Sequence, residues 1–90
     1  MLEKNIESAL VKRVKELKGL CEKFTSPGRR SVPDRLVTLP GGIVIFVELK
    51  APGKLLSPLQ IRDNLRRRAL GCDVRFIDSL EQVRAFPDVE

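Results

Sequence analysis

Apolar positions change their spacing several times along the chain, and each change marks an element. Leu2, Ile6, Ala9, Leu10, Val14 and Leu17 recur every three or four residues, which predicts a helix over residues 3–18 with Gly19 as its stop. A short strand is expected over 20–25, followed by a loop over 26–31 that carries Pro27, Gly28, Arg29 and Arg30. Residues 34–39 and 43–50 read as two strands around a Pro40-Gly41-Gly42 turn, and 51–54 is a loop with Pro52 and Gly53. Ser57 and Pro58 suit the cap and first position of a second helix that runs to about residue 70 and stops at Gly71. Residues 74–77 form a fourth strand, and Ser79 with Gln82 opens a short last helix as a capping box. The expected fold is α/β, in the order αβββαβα, and residues 1–90 form a single domain with no internal repeat or linker.

The strand over 43–50 is apolar on both faces at its start, as a central strand covered on both sides would be. Its end is not apolar. Glu48 and Lys50 project from one face, about 7 Å apart along the strand, and ions there are costly unless paired or bound to a metal. A salt bridge between the two is the plain reading. The turn changes the weighting. With a three-residue loop Leu39 pairs with Ile43, and counting back places Asp34 directly opposite Glu48. Two carboxylates at that separation repel, unless a divalent cation shares them. A loop of two or four residues would instead put Asp34 on the other face.

Composition narrows the chemistry. The 90 residues are 42% hydrophobic and 32% charged, and 17 Lys and Arg against 12 Asp and Glu give a net charge of +5, which favours an anionic polymer as partner. The chain has no His, so Ser-His and Cys-His nucleophiles, a His base and His-metal ligation are excluded. It has no Tyr, which excludes a tyrosine recombinase or topoisomerase, and four Phe without Trp or Tyr leave little for a base-stacking platform. Carboxylates, lysine and a metal ion remain. No apolar run is long enough to cross a membrane and no signal-peptide pattern is seen, so a cytoplasmic location is expected. Cys21 and Cys72 lack a metal-binding spacing and read as small buried residues without a disulfide.

Three further features have two readings each. Glu3 falls inside the apolar stripe of the first helix, either as a third acid or as a solvated first-turn residue favoured by the helix dipole. Gln60 either closes a capping box on Ser57 or sits beside Lys50 and a phosphate. Lys23, Arg29 and Arg30, on or before the loop leading to Asp34, could grip phosphates, whereas Arg62, Arg66, Arg67 and Arg68 read as a solvated helix face. Lys12, Lys15 and Lys18, interleaved with Glu16, are ordinary surface charges.

Pro33-Asp34, thirteen residues, then Glu48-Leu49-Lys50 resembles the PD-(D/E)XK nuclease superfamily, and the setting is similar to its virus-type replication-repair branch, the VRR-NUC domain. Matching pieces are Glu3 with Ile6, Val32-Pro33-Asp34-Arg35, the run from Phe46 to Gly53, Leu56-Ser57-Pro58-Leu59-Gln60, and Gly71 before the last strand. Ser31 stands where the family commonly has glycine. The resemblance implies a restriction-endonuclease-like fold with a mixed central sheet. It implies a Mg²⁺- or Mn²⁺-dependent deoxyribonuclease in which Asp34, Glu48, the Leu49 carbonyl and Glu3 ligate the metal. Lys50 would position the attacking water and Gln60 would steady it, while Lys23, Arg29, Arg30 and Arg35 contact DNA. Single-domain relatives resemble Holliday-junction resolvases, which implies a homodimer acting on branched DNA in repair, and a phage or prophage gene fits. The alternative is a non-catalytic nucleic-acid-binding module of the same fold.

Overall fold

The period-2 stretches of the sequence fold into one four-stranded sheet in the computed structural model, which describes residues 1–28 and 32–88. The elements are α1 (Glu3–Glu16), β1 (Leu20–Lys23), β2 (Arg35–Leu39), β3 (Ile43–Leu49), α2 (Pro58–Ala69), β4 (Asp73–Ile77) and α3 (Leu80–Ala85). The expected αβββαβα order holds. Strands lie in the order β1-β2-β3-β4, with β1 and β2 antiparallel, β2 and β3 antiparallel, and β3 and β4 parallel. The parallel pair requires a crossover, which α2 supplies.

The turn between β2 and β3 has three residues, because Leu39 pairs with Ile43. Every partner follows from that pair, down to Arg35 opposite Val47. Residues facing one another across strands share a face. Val37, Leu39, Ile45, Val47, Leu49 and Ile77 therefore lie together, and they bury against Ile6, Leu10 and Val14 of α1 and Val83 and Phe86 of α3. Leu36, Phe46, Glu48, Val74 and Phe76 point to the opposite face, beneath α2. That second layer is thinner, and Ile43 and Val44 at the start of β3 stay exposed.

Helix ends differ from expectation in one place. The first helix ends in a Schellman motif, with Lys18 N–H donating to Lys15 O and Gly19 N–H to Val14 O. Lys18, not Gly19, takes the left-handed conformation, at φ 66°. Gly19 is required for a different reason: a Cβ there would lie 2.5 Å from the Thr38 carbonyl oxygen. The second helix ends the same way, but with Gly71 at the left-handed position (φ 94°), Gly71 N–H bonding Arg68 O and Cys72 N–H bonding Arg67 O. Both cysteines are free and half-buried, less enclosed than their sequence context implied.

Candidate active site

Chain direction brings the singled-out residues to one end of the sheet. Asp34 immediately precedes β2, Glu48 and Leu49 close β3, and Lys50 follows, its N–H donating to Ile77 O of β4. The β2–β3 register carries on past Arg35, so Asp34 stands opposite Glu48. Asp34 makes a bond that a ladder residue could not: its Oδ2 accepts the Leu49 N–H at 2.8 Å. One carboxylate oxygen is thus fixed by the backbone of the strand that bears Glu48. Glu48 shares the α2 face of the sheet with Phe46.

Glu48 is fully buried, and no hydrogen-bond partner meets either of its carboxylate oxygens. A salt bridge to Lys50 is therefore not what holds it. Burial raises its pKa from 4.5 to about 8, and the Asp34 carboxylate and then Glu3 add to the rise, while Lys50 opposes it. The Asp34 amide also pulls the value down a little, without reaching hydrogen-bond geometry at either oxygen. Asp34 is raised as well, by burial first and Glu7 second among the raising causes, against the Leu49 N–H bond and the charges of Lys50 and Arg35. Glu3, exposed at the start of α1, is raised by partial burial and then by Asp34. Glu48 thus feels the charge of both Asp34 and Glu3, and Glu3 that of Asp34. Among the described residues, however, no three acidic, His or Cys side chains converge into a ready-made metal cage. The oxygen donors on offer are two carboxylates and the Leu49 carbonyl, the type of set that suits Mg²⁺ or Mn²⁺.

Other sequence-predicted residues sort as follows. Gln60 closes the capping box: Ser57 N–H donates to Gln60 Oε1 at 2.8 Å, and Gln60 N–H to Ser57 Oγ at 3.2 Å. That use still leaves the carboxamide its N–H donors, at the helix end that follows the Lys50 loop. Arg35 is engaged within the fold. Its Nε donates to Glu7 at 2.8 Å and its Nη1 to Cys21 O, and its side chain is 13% exposed, so it braces α1 against the sheet instead of reaching outward. Lys23 is exposed at the end of β1, on the face opposite Glu48. Arg29 and Arg30 lie outside the described residues.

Of the α2 arginines expected on a solvated face, Arg67 is partly buried, and Arg68, though exposed, bonds back to the sheet. Arg67 stacks its guanidinium 5.2 Å from the Phe24 ring centre and 5.1 Å from that of Phe46, and Arg68 donates twice to Val74 O. The helix turns Asp63, Asn64 and Arg67 toward the sheet and leaves Ile61 and Leu65 outside, 45% and 57% exposed. Asn64 was missed by sequence reasoning. Its only signal was its place one turn after Gln60.

Known proteins share this fold. The chain is 49% identical over 87 residues to "Putative nuclease p44" of Acyrthosiphon pisum secondary endosymbiont phage 1, covering 97% of this chain and 94% of that one. A solved structure described as "VRR_NUC domain" matches with a TM-score of 0.89 at 33% identity, over 96% of this chain and 94% of the other. No family model matches the sequence.

Proposed function

The chain belongs to the VRR-NUC family, and we propose that it is a divalent-metal-dependent endonuclease that hydrolyses phosphodiester bonds in branched DNA as a homodimer. The observation that carries the metal dependence is Glu48: a buried carboxylate with two unpartnered oxygens, opposite a second carboxylate. Such an arrangement is unfavourable as structure and useful as a cation site. Asp34, Glu48 and the Leu49 carbonyl would hold Mg²⁺ or Mn²⁺, and Glu3, whose charge acts on Glu48, would add to the negative field around the ion. The cation supplies Lewis-acid polarisation of the phosphodiester and a more acidic water.

The chain's own residues do the rest. Asp34, tied to the Leu49 N–H, keeps β2 and β3 from separating between the two acids. Lys50 leaves β3 just beyond Glu48 and places fixed positive charge where negative charge builds on the phosphate. Gln60, anchored at the N-terminus of α2, can turn its N–H donors toward the same phosphate or its attacking water. Lys23, Arg29 and Arg30 would contact the flanking backbone.

Dimerisation rests on α2, whose apolar residues Ile61 and Leu65 face away from the sheet, with Leu55 88% exposed in the loop before the helix. An isologous pair would put two active sites at a fixed spacing, as a four-way junction requires. No helix among the described residues is long and apolar enough to cross a membrane, and a cytoplasmic site of action is proposed with the DNA substrate. The test is cleavage of four-way junction, flap and linear DNA with Mg²⁺, Mn²⁺ or EDTA. Cutting that needs the metal and favours the junction is expected. A non-catalytic binding module would hold DNA and cut none of the three.

A further inference from the structure

Helix α2 is built with its phase reversed. A helix lying on a sheet normally turns its apolar residues inward, yet here Leu65 is outside and its neighbour Asn64 is inside, only 2% exposed. Neither polar atom of the Asn64 carboxamide has a hydrogen-bond partner. A buried amide without partners is disfavoured, and a leucine of similar size would cover the sheet better if covering were the only task. Both polar ends of the carboxamide are therefore open to a further partner.

The contacts of α2 with the sheet indicate what Asn64 faces. Two contacts fix the level of the last turn of α2 against the sheet: Arg67 lies over Phe46, and Arg68 bonds the carbonyl of Val74. Phe46 and Val74 are partners across β3 and β4, so both contacts mark the same level. Helix α2, as the crossover, runs opposite to both strands. Moving back from Arg67 to Asn64 covers about 4.5 Å along the helix, and moving from Phe46 to Glu48 covers about 6.6 Å along the strand in the same direction. Asn64 thus stands over the level of Glu48 and its partner Phe76. By this reckoning two unpartnered buried groups, a carboxylate from β3 and a carboxamide from α2, come to about the same level between the same two layers.

We propose that Asn64 is a positioning residue of the nuclease centre, whose Nδ2 donates, directly or through one water, to the Glu48 oxygen that does not ligate the divalent cation. The amide then fixes the rotation of the carboxylate and so directs its other oxygen. The Oδ1 of Asn64 remains free to accept from a water around the cation. This inference rests on the metal-dependent reading above and adds a residue to it.

Mn²⁺ titration followed by electron paramagnetic resonance, beside thermal melting in EDTA, tests it on wild type, Glu48→Gln and Asn64→Leu. Asn64→Leu should weaken Mn²⁺ binding by about 10- to 100-fold, as loss of a ligand-orienting partner does. Its melting temperature without metal should stay level or rise, because an unpartnered amide has been removed. Glu48→Gln should lose Mn²⁺ binding. Mn²⁺ affinity of Asn64→Leu within twofold of wild type overturns the inference and, if Glu48→Gln still loses the ion, leaves the metal reading standing. A wild type that binds no Mn²⁺ overturns both. Should the leucine variant not fold, Asn64→Ala carries the same expectation for Mn²⁺, and failure of both to fold makes Asn64 structural and the inference wrong.

Discussion

The Leu49 N–H donates to the Asp34 carboxylate at 2.8 Å, so the candidate metal site and the end of the β-ladder are one structure. Strand β3 would otherwise leave that N–H without a strand partner, because β2 begins only at Arg35. The acid therefore closes the hairpin with one oxygen and keeps the other for chemistry.

Substitution at Asp34 separates these two tasks. Asp34→Asn keeps an oxygen acceptor for Leu49 and should melt within a few degrees of wild type, yet lose at least about a hundredfold in cleavage. The scale is that of losing one preorganised charge-stabilising contact. Asp34→Ala removes the acceptor too and should cost a further 1–3 kcal/mol or so of stability. Thermal melts in EDTA and junction cleavage in Mg²⁺ measure the two effects. If Asp34→Asn turns over at the wild-type rate, the acid is structural alone.

Glu48 predicts an unusual pH dependence for the metal-free protein. Its pKa is about 8 in the fold against 4.5 in an exposed chain, chiefly because burial disfavours the charged form. Between those values the folded state holds a proton that the unfolded state has lost, so stability falls as pH rises through that window. The loss is on the order of a few kcal/mol by pH 8. Melting in EDTA should show Glu48→Gln more stable than wild type at pH 8 and nearly equal to it at pH 4. Adding Mg²⁺ or Mn²⁺ at pH 8 should raise the wild type's melting temperature and leave the variant's in place. A wild type as stable at pH 8 as at pH 5 contradicts this account.

How much of this could be read from the sequence depended on whether the signal was local. Pro40-Gly41-Gly42 fixed the hairpin register, and with it the Asp34–Glu48 juxtaposition, because strand pairing propagates from the turn one residue at a time. Helix caps were equally local: Ser57 and Gln60 close their box as the spacing implied. The end of α1 was placed one position late, since a glycine was assumed to take the left-handed residue that Lys18 takes. Gly19 instead answers to the Thr38 carbonyl, a contact from another strand. The intramolecular partners of Arg35 and Arg67 were not legible for the same reason. Their partners, Glu7 and the Phe24–Phe46 pair, come from elements that only tertiary packing brings near.

Arg67 is consequently predicted to act on stability. Its guanidinium covers two rings that are themselves 5.4 Å apart. Replacing it by Ala should cost about 1–2 kcal/mol, the scale of a desolvated cation–π contact, and Lys should restore only part of this because it lacks the flat face. Arg66→Ala, on the exposed side of the same helix, should leave the melting temperature unchanged. Equal melting of the two alanine variants would return Arg67 to the solvated surface.

The last prediction concerns the outward face of α2. Ile61 and Leu65 lie one turn apart on it, both substantially exposed, and Arg62 and Arg66 border them. If two copies meet there, a charge at either apolar position should break the pair without unfolding the protein, since neither side chain supports the core and exposed substitutions cost little stability. Leu65→Glu and Ile61→Glu should therefore run as monomers by light scattering at micromolar concentration, with melting temperatures close to one another. The bordering arginines add a second signature. Brought together by a twofold axis they repel, so the wild-type dimer should tighten as salt screens them, whereas DNA binding should weaken as salt rises. The monomeric variants keep Asp34, Glu48 and Lys50 and should still cut linear DNA slowly, but lose their preference for the four-way junction. A dimer that survives both glutamates lies on another face, and a wild type that is monomeric in high salt removes the basis for paired cuts while leaving the metal site untouched.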